Sequence, residues 1–570
     1  MHPSVLLLAR FCKEVGLLHF VGSPGSRSAP ILLALSRIGG IEIEMAMDER
    51  SAGYVALGKS LALGKPVGIF CTSGTAVLNL GPAVAEAFYQ QVPLLLLTAD
   101  RPPELIDQQE GQAIRQNQIF SAHTVFSGQL PSSESHDHSL LLTGRILNQA
   151  WQHLQAAHSG PVHLNIPLRE PLYPAAGEVL DFKRIENQKI AVTEVRQKRT
   201  LDRYALSEIL EAWNAFDRKL LIAGQVRPDP DLRNALKALS LYGQVPLAGD
   251  LVHNLSGIDG LVQHADLLPD SFWEHPDVSP DIILTIGNGL ISKPLKKFIQ
   301  KKQHREHWHI QEEGPVADPY GSFTKIIRAH PEWMITKLGE GSFFQNRQDL
   351  NPYFDFWMKT EIKAKSALRT FAKKEDWSDG KATALLYDLL PHKAVLFPGN
   401  SMPVRYANWF AAALSTDHIV FANRGTSGID GCLSAALGIA SVLPRRTVVA
   451  LSGDMGFFYD RNALWRNHIP ANLKIMILNN GGGNIFRIIP GSGQMPELEE
   501  YFEMKQPYSA EWAAKEAGLP YFRAANSKEM QAALPLWLES TQCAILECHT
   551  DRYENAAWVK NLKKWMNQNA

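Results

Sequence analysis

The sequence predicts an α/β protein of three domains, each built on a parallel sheet that helices cover on both faces. Three observations predict this fold class. Apolar runs mostly without polar alternation recur along the chain and are separated by helical stretches, the pattern of buried parallel strands. The 570 residues suffice for about three or four domains of ordinary size. A segment near the N-terminus and another in the last third also share one order of parts.

The N-terminal third alternates predicted strands with predicted helices. The strands cover 17–21, 41–45, 67–71 and 93–98, and the helices cover 29–37, 51–63 and 82–90. A charged stretch over 181–200 has no strand pattern and predicts a linker. We therefore expect a first domain over 1–180.

The middle and last thirds repeat the alternation. Strands over 219–223 and 281–286 predict a second domain at 200–338, and the polar, aromatic stretch 339–370 predicts another boundary. The last domain, 370–570, has predicted strands over 394–397, 419–422, 447–451 and 474–478.

Charge and cysteine content exclude several classes of function. Lys and Arg number 57, Asp and Glu 58, so we expect no bulk attraction to nucleic acid or an anionic membrane. No apolar run approaches the roughly 18–20 residues of a membrane span, and the run 5–9 is too short for a signal peptide. The five cysteines form no CxxC pair. A soluble, cytoplasmic protein without disulfides or a thiolate zinc site is expected.

The shared order of parts links the two ends of the chain. Pro-Gly-Ser-Arg follows the first strand at 24–27, and Pro-Gly-Asn-Ser follows a strand of the last third at 398–401. Each is succeeded by an Arg-containing turn, a small-residue helix, a strand and a Ser-Gly or Thr-Ser-Gly turn. Two related outer domains would explain this order. The alternative is that all α/β units share glycine-rich turns.

Two polar residues at predicted strand ends form a candidate metal site. Asp454 follows strand 447–451, Asn480 follows strand 474–478, and 459–467 between them is predicted to be helical. A right-handed crossover brings both strand ends to one sheet edge, where open α/β sheets bind ligands. Carboxylate and amide oxygens beside glycine amides suit Mg²⁺ or Ca²⁺ with a diphosphate, not zinc. The structural alternative is a Gly-Asp turn plus a glycine-rich hairpin.

Gly453-Asp454 with Asn480 resembles the cofactor motif of the thiamine-diphosphate-dependent decarboxylases and carboligases. The resemblance implies Mg²⁺ (or Mn²⁺) bound by Asp454, Asn480 and the Gly482 carbonyl. It implies that the first domain binds the cofactor's pyrimidine and the last its diphosphate. Glu49, after the second strand, would activate the pyrimidine, although a helix dipole alone favours an acid there. Active sites between the subunits of a homodimer or homotetramer are implied as well.

The same resemblance assigns further residues near the cofactor. Ile429 would force the bent conformation of the cofactor, and Ser401 would contact the cofactor. Ile485 and Phe486 would form an apolar wall beside it. Ordinary packing is the alternative for the apolar residues.

Longer motifs are similar to one family of this superfamily, the 2-succinyl-5-enolpyruvyl-6-hydroxy-3-cyclohexene-1-carboxylate (SEPHCHC) synthases of menaquinone and phylloquinone biosynthesis. The motifs lie at 22–28, 98–105, 112–116, 399–405, 423–431 and 485–486. The resemblance implies decarboxylation of 2-oxoglutarate and 1,4-addition of the resulting four-carbon unit to isochorismate.

Both implied substrates are dicarboxylates, so the pocket must present fixed cations. The expected substrate-binding residues are Ser26, Arg27, Arg101, Gln112, Lys293, Arg405 and Arg424. The arginines are predicted in or beside loops rather than on helix faces. The alternative to substrate binding is that a loop arginine is a solvated charge or hydrogen-bonds a backbone carbonyl group. Some relatives have two adjacent cations at the position of Lys293, whereas this chain continues with Pro294. Lys296 or Lys297 could compensate.

Three other interpretations stay open at the level of the sequence. One is a different carboligase of the same superfamily, such as an acetohydroxyacid synthase, although small monocarboxylates need fewer cations. Another is a nucleotide-binding protein built on Gly425, Gly428 and Gly431, which lack the G-x-G-x-x-G spacing. The third is a non-catalytic scaffold of the same fold, against which Glu49, Asp454 and Asn480 count.

Overall fold

The computed structural model describes residues 2–132, 137–175, 179–185, 191–301, 303–343, 351–489 and 491–570. The chain divides into two compact units. The first unit comprises Met1–Arg196, Asn423–Arg445 and Gly456–Leu473, and the second comprises Gln197–Ala422, Arg446–Met455 and Lys474–Ala570.

The first unit contains a six-stranded sheet in the order β2-β1-β3-β4-β6-β5. Its strands are β1 (His19–Gly22), β2 (Glu42–Met45), β3 (Val67–Cys71), β4 (Leu94–Asp100), β5 (Phe126–Gln129) and β6 (Val162–Pro167). All described pairs run parallel, with Val67 opposite Leu94 in the register of β3 and β4. Every residue of β3 and β4 is buried, because helices cover both faces of the sheet.

The second unit contains the other two six-stranded sheets. The middle sheet has the order β12-β11-β10-β7-β8-β9, and the last has the order β14-β13-β15-β16-β18-β17. Their strands are β7 (Lys219–Ala223), β8 (Leu247–Gly249), β9 (Leu261–Val262), β10 (Ile282–Ile286), β11 (Glu306–Ile310), β12 (Lys325–Ile327), β13 (Val395–Pro398), β14 (Ile419–Val420), β15 (Val448–Gly453), β16 (Leu473–Asn479), β17 (Tyr521–Ala524) and β18 (Ala544–His549).

The strand orders explain the likeness between the two ends of the chain. The first and last sheets have the same order when each is numbered from its own first strand, as expected of two related outer domains. The middle sheet instead has the order 3-2-1-4-5-6 of a Rossmann fold. The α/β fold with parallel sheets is therefore confirmed. The strand order of the middle sheet is not by itself evidence that this sheet binds a nucleotide, because a fold does not imply a function.

The α-helices alternate with these strands. They are α1 (Pro3–Glu14), α2 (Ala29–Arg37), α3 (Glu49–Leu63), α4 (Thr75–Asn79), α5 (Gly81–Gln90), α6 (Asp137–Gln155), α7 (Arg203–Asn214), α8 (Pro230–Tyr242), α9 (Asp270–Glu274), α10 (Lys293–Gln300), α11 (Pro331–Phe343), α12 (Pro352–Lys374), α13 (Asp379–Asp388), α14 (Met402–Trp409), α15 (Cys432–Val442), α16 (Asp454–Asp460), α17 (Ile485–Ile488), α18 (Glu511–Glu516), α19 (Ser527–Glu539) and α20 (Arg552–Asn569). Within the described ranges, no helix is both long and apolar enough to cross a membrane.

Helices α3 and α15 pack backbone to backbone inside the first unit. A Cβ on Gly58 would collide with the Ala435 carbonyl oxygen, and one on Gly438 would collide with the Val55 carbonyl oxygen. Only glycine allows this approach, which explains the small residues of both helices.

The predicted helix 459–467 was wrong in its bounds. Helix α16 begins at Asp454 and ends at Asp460, and a 3₁₀ turn, Arg461–Leu464, follows. Asp454 lies in the first turn, where the helix dipole favours an acid. Asp460 is fully buried and accepts hydrogen bonds from the Ser434 N–H and Oγ at 2.7 and 2.8 Å. The end of the helix is thus fixed by a tertiary contact.

Candidate functional site

Asp454 and Asn480 come together at the carboxyl ends of the last sheet's strands. Asp454 follows β15 directly and is 2% exposed, and Asn480 follows β16. Gln506 joins the two strand ends, because its Nε2 donates to Asp454 Oδ2 at 2.8 Å and its N–H donates to the Gly481 carbonyl oxygen at 3.0 Å. The convergence expected from the spacing is therefore present.

The Asp454 carboxylate is held on both oxygens. Oδ1 accepts from the Met455 N–H and Oδ2 from Gln506 Nε2, both at 2.8 Å. Burial raises the pKa of Asp454 to about 6, although these hydrogen bonds oppose the shift. A cation beside the carboxylate would favour its ionised form.

The side-chain oxygen of Asn480 has no hydrogen-bond donor among the residues that the structure describes. Its Nδ2 donates to Asp379 Oδ2 at 2.9 Å, and Asp379 Oδ1 accepts from Thr550 Oγ1 at 2.6 Å. Asn480 Oδ1 is buried, and nothing within the described ranges hydrogen-bonds to it. A buried acceptor without a partner costs free energy, and a bound cation would remove that cost.

The glycine loop after Asn480 is clamped against the next segment. Gly481 and Gly482 have φ values of 74° and 154°. A Cβ on Gly482 would lie 2.6 Å from the Glu503 carbonyl oxygen, which accepts from the Gly483 N–H at 2.7 Å. Arg552 donates to the Gly481 carbonyl oxygen at 3.0 Å. Glycine is required here because the backbone is both left-handed and closely packed.

These groups fit a metal-bound diphosphate. A buried carboxylate and an unsatisfied amide oxygen are the hard ligands that Mg²⁺ prefers. A loop of glycines gives phosphate oxygens close access to backbone N–H groups.

The apolar residues predicted beside the cofactor lie in the short helix α17. The ring of Phe486 is 5.7 Å from that of Phe502. Ile485 is partly buried against the main apolar cluster of the second unit. Both are half-buried, so each retains surface for a ligand.

Ser401 and Arg405 follow β13. Ser401 has a φ of 74° and precedes α14. Arg405 lies inside α14, so its predicted place off a helix face was wrong. The helix begins at Met402 because Pro403 suits a first helical turn.

Lys293 is the first residue of α10, and its side chain is exposed. The Ser292 Oγ caps the helix by accepting from the Leu295 N–H at 3.3 Å. The buried Asp250 carboxylate accepts from the N–H groups of Ile291 and Ser292. A lysine opposes the dipole at a helix N-terminus, so local structure gives no reason for its charge.

Glu49 occupies the predicted place after the second strand, as the first residue of α3. Its Oε2 accepts from Asn79 Nδ2 at 3.1 Å. The neighbouring Arg50 donates to the Tyr459 carbonyl oxygen at 2.7 Å. The first two residues of α3, Glu49 and Arg50, are therefore each held by a hydrogen bond to another part of the first unit.

The segment after β4 brings Arg101 and Gln112 together. Arg101 donates to the Gly111 carbonyl oxygen at 2.8 Å. Gln112 has a φ of 55°, and its backbone packs against Gly74. Gln116 is buried and accepts from the Gly74 N–H at 2.8 Å, which makes it a structural brace of the same motif.

Arg27 differs from the other predicted cations because it is 5% exposed. It donates to the Leu168 carbonyl oxygen at 2.9 Å and lies 3.5 Å from Glu170 Oε1. The neighbouring Ser26 is exposed, and its Oγ lies 3.1 Å from the Tyr173 hydroxyl. The structure thus gives Arg27 the contacts of a brace, and its role toward substrate stays a prediction.

Arg424 and Ile429 lie on the loop 423–431 that precedes α15, and both are half-buried. This loop packs on α3 and α5 of the first unit through Tyr54 and Glu86.

Several polar residues of these sites have no place in the sequence-based prediction. They are Glu86, Asp250, Asp379, Glu503 and Gln506. Glu86 carries a signal, since it is the one charged residue in the apolar stretch Gly81–Gln90. Asp379 lies in a first helical turn, where an acidic residue is common. The sequence around Asp379 therefore does not indicate a functional role.

Comparisons with known proteins identify similar chains. The model of the thiamine pyrophosphate enzyme N-terminal TPP binding domain matches residues 5–119, and that of the C-terminal TPP binding domain matches 405–548. A relative from Cytophaga hutchinsonii is 37% identical, with 97% of each chain covered. Relatives from Porphyromonas gingivalis and Flavobacterium psychrophilum are 35% and 33% identical, covering 98% and 99% of this chain and 96% and 98% of theirs. All three are named 2-succinyl-5-enolpyruvyl-6-hydroxy-3-cyclohexene-1-carboxylate synthase.

Proposed function

This chain belongs to the family of SEPHCHC synthases, and from that membership we propose how its residues carry out the reaction. The enzyme decarboxylates 2-oxoglutarate and adds the four-carbon unit to isochorismate, with thiamine diphosphate as cofactor, in menaquinone biosynthesis. The observation that most supports the residue assignment is Asn480 Oδ1, which is buried and has no partner among the described residues, at the end of the strand next to the one that Asp454 follows.

The metal site takes Mg²⁺ or Mn²⁺. Asp454 Oδ, Asn480 Oδ1 and the Gly482 carbonyl bind the ion, and the glycine loop, together with Gly453 and Ser401, accommodates the diphosphate. When bound, thiamine diphosphate supplies the electron sink for decarboxylation and carbon–carbon bond formation. Ionised Asp454 offsets part of the charge of the ion.

The first unit supplies the residues for the pyrimidine. Glu49 is the charged acceptor of a hydrogen bond from a ring nitrogen, and Asn79 orients its carboxylate. Ile429 supports the bent conformation. Ile485 and Phe486 of the second unit exclude water from the reacting carbon.

Cations, helped by one amide and one hydroxyl, bind the carboxylates of the substrates. The fixed charges of the cations are worth more in a site from which water is excluded. The proposed residues are Ser26, Arg27, Arg101, Gln112, Lys293, Arg405 and Arg424.

A coupled assay tests this function. Purified protein with Mg²⁺ and thiamine diphosphate should release CO₂ from 2-oxoglutarate at a rate that depends on isochorismate. Release that is independent of isochorismate would indicate a plain decarboxylase, and release from pyruvate instead would indicate another carboligase.

We also propose a cytoplasmic homodimer or homotetramer whose active sites combine two subunits. The five cysteines are buried and free, which supports a reducing compartment. Co-expressed Glu49→Gln and Asp454→Ala chains test the shared sites. About half of the dimers in an equal mixture are hybrids, and each hybrid forms one intact site of its two, so the mixture as a whole should regain about a quarter of the wild-type activity. A mixture as inactive as either variant alone would place each site within one chain.

A further inference from the structure

Glu86 is a fully buried carboxylate that faces the loop 423–431. It lies on α5 and is 0% exposed. Its Oε1 accepts from the Gly425 N–H at 2.6 Å, and its Oε2 accepts from the Thr426 N–H at 2.7 Å and the Thr426 Oγ1 at 2.6 Å. Both oxygens are therefore committed to two consecutive residues of this loop.

The loop contacts the backbone of Glu86 as well as its side chain. A Cβ on Gly425 would collide with the carbonyl oxygen of Glu86 itself, so the loop lies directly on α5. Burying a carboxylate is costly unless hydrogen bonds replace its hydration, and here the loop supplies three. Moving the loop would leave a buried charge without these donors.

A second contact fixes the far end of the loop. The Tyr54 hydroxyl, on α3, donates to Asp430 Oδ2 at 2.6 Å. Gly431 packs against the ring of Tyr54 so closely that a Cβ would overlap it. Arg424 directly precedes the first contact, and Ile429 directly precedes the second.

We propose that Glu86 is a positioning residue that fixes the loop 423–431, and with it the orientation of Arg424 toward substrate and of Ile429 toward the cofactor. The contact itself stands on the geometry. The roles of Arg424 and Ile429 rest on the proposed function.

Glu86→Gln is the central variant because it preserves size and replaces one acceptor by an amide N–H₂. That group faces N–H donors, so at least one hydrogen bond is lost. Tyr54→Phe removes the bond at the other end alone. Tyr89→Phe is the matched control, since Tyr89 lies on the same helix and is 55% exposed.

Hydrogen exchange followed by mass spectrometry measures the loop without any substrate. In Glu86→Gln the amides of the loop should exchange about tenfold faster or more, while peptides of β3 keep the wild-type rate. The control should match the wild type. Unchanged exchange in the loop would overturn the proposal. If Glu86→Gln does not fold, Thr426→Val takes its place, because it removes only the Oγ1 donor to Glu86 Oε2. Faster exchange in the loop of that variant supports the proposal, and wild-type exchange there overturns it.

Kinetics then separate positioning from general destabilisation. Glu86→Gln should raise, about tenfold, the apparent KM of whichever substrate Arg424→Ala affects, with a smaller effect on kcat. In an Arg424→Ala background the same change should raise that KM about twofold at most, because its target is already removed. Fully additive effects would overturn positioning through Arg424. A wild-type protein inactive on both substrates would refute the proposed function and leave the exchange result standing.

Discussion

Asn480 points its amide nitrogen at Asp379, with 2.9 Å between Nδ2 and Oδ2, and this leaves its Oδ1 buried and without a partner in the part of the chain that the structure describes. An ionised carboxylate can only accept hydrogen bonds, so Asp379 determines which end of the amide is free. The free end is the oxygen, the atom that a hard cation binds.

Changing Asp379 to Asn should weaken Mg²⁺-dependent binding of thiamine diphosphate about tenfold or more, because Asn480 could then flip. Asp454→Ala should abolish that binding by removing a ligand. Isothermal titration with and without Mg²⁺ measures both. The control is Asp376→Asn, since Asp376 is exposed three residues before Asp379. Wild-type affinity in Asp454→Ala would contradict the metal site itself.

Glu49→Gln should preserve cofactor affinity within a few-fold yet collapse turnover. Glutamine can still hydrogen-bond the pyrimidine, but it lacks the charge that activates it. Deuterium exchange at C2 of bound thiamine diphosphate, followed by NMR, measures this step directly. Glu42→Gln is the control, because the Glu42 side chain is 77% exposed. Exchange as fast as in the wild type would assign activation to another residue.

Arg101→Ala and Lys293→Ala should raise the apparent KM for isochorismate far more than that for 2-oxoglutarate. Each removes a charge-assisted contact of roughly 1.5–3 kcal/mol, or about ten- to over a hundredfold. Arg101→Lys should rescue partly, since a lysine lacks the planar fork. The effect of Lys293 should be smaller if Lys296 or Lys297 takes its place. Steady-state kinetics with each substrate varied in turn, and exposed Arg115→Ala as control, measure this. Equal effects on both substrates would refute the assignment.

Glu547 should make the fold sensitive to acid. Burial alone would raise its pKa, but hydrogen bonds from His549, Tyr521 and the Ala510 N–H outweigh burial and lower the pKa to about 2. Its pKa in the unfolded chain is higher, so its stabilisation is complete above about pH 4–5 and is lost as the pH falls toward 2.

Glu547→Gln should therefore lower the free energy of unfolding by about 2 kcal/mol at pH 7 and by less at pH 3. Urea unfolding at the two pH values measures the difference. Glu539→Gln, an exposed change in the same region, should leave both values unchanged. A deficit as large at pH 3 as at pH 7 would contradict the pKa assigned to Glu547.

The strands and the positions of the candidate cofactor ligands at strand ends were predictable because they depend on local pattern. Strands 67–71 and 219–223 have the predicted bounds, since each is a short run that is apolar throughout or, in the second case, after its first residue, Lys219. Asp454 and Asn480 follow from strand-end positions alone. Asp379 and Glu86 do not, because their partners lie 101 and 339 positions away in the chain. Only the assembled fold brings these carboxylates to the groups that they orient.

The packing of α3 on α15 has a consequence for how the protein is made. Helix α3 ends at Leu63, whereas α15 begins at Cys432. At roughly 5–20 residues per second, α3 leaves the ribosome tens of seconds before the helix that covers its glycine-lined face. During that interval this face of α3 has no native partner, and the nascent chain must avoid non-native contacts there. The first unit therefore cannot complete its packing until α15 has been made, although the last strand of its sheet, β6, ends at Pro167.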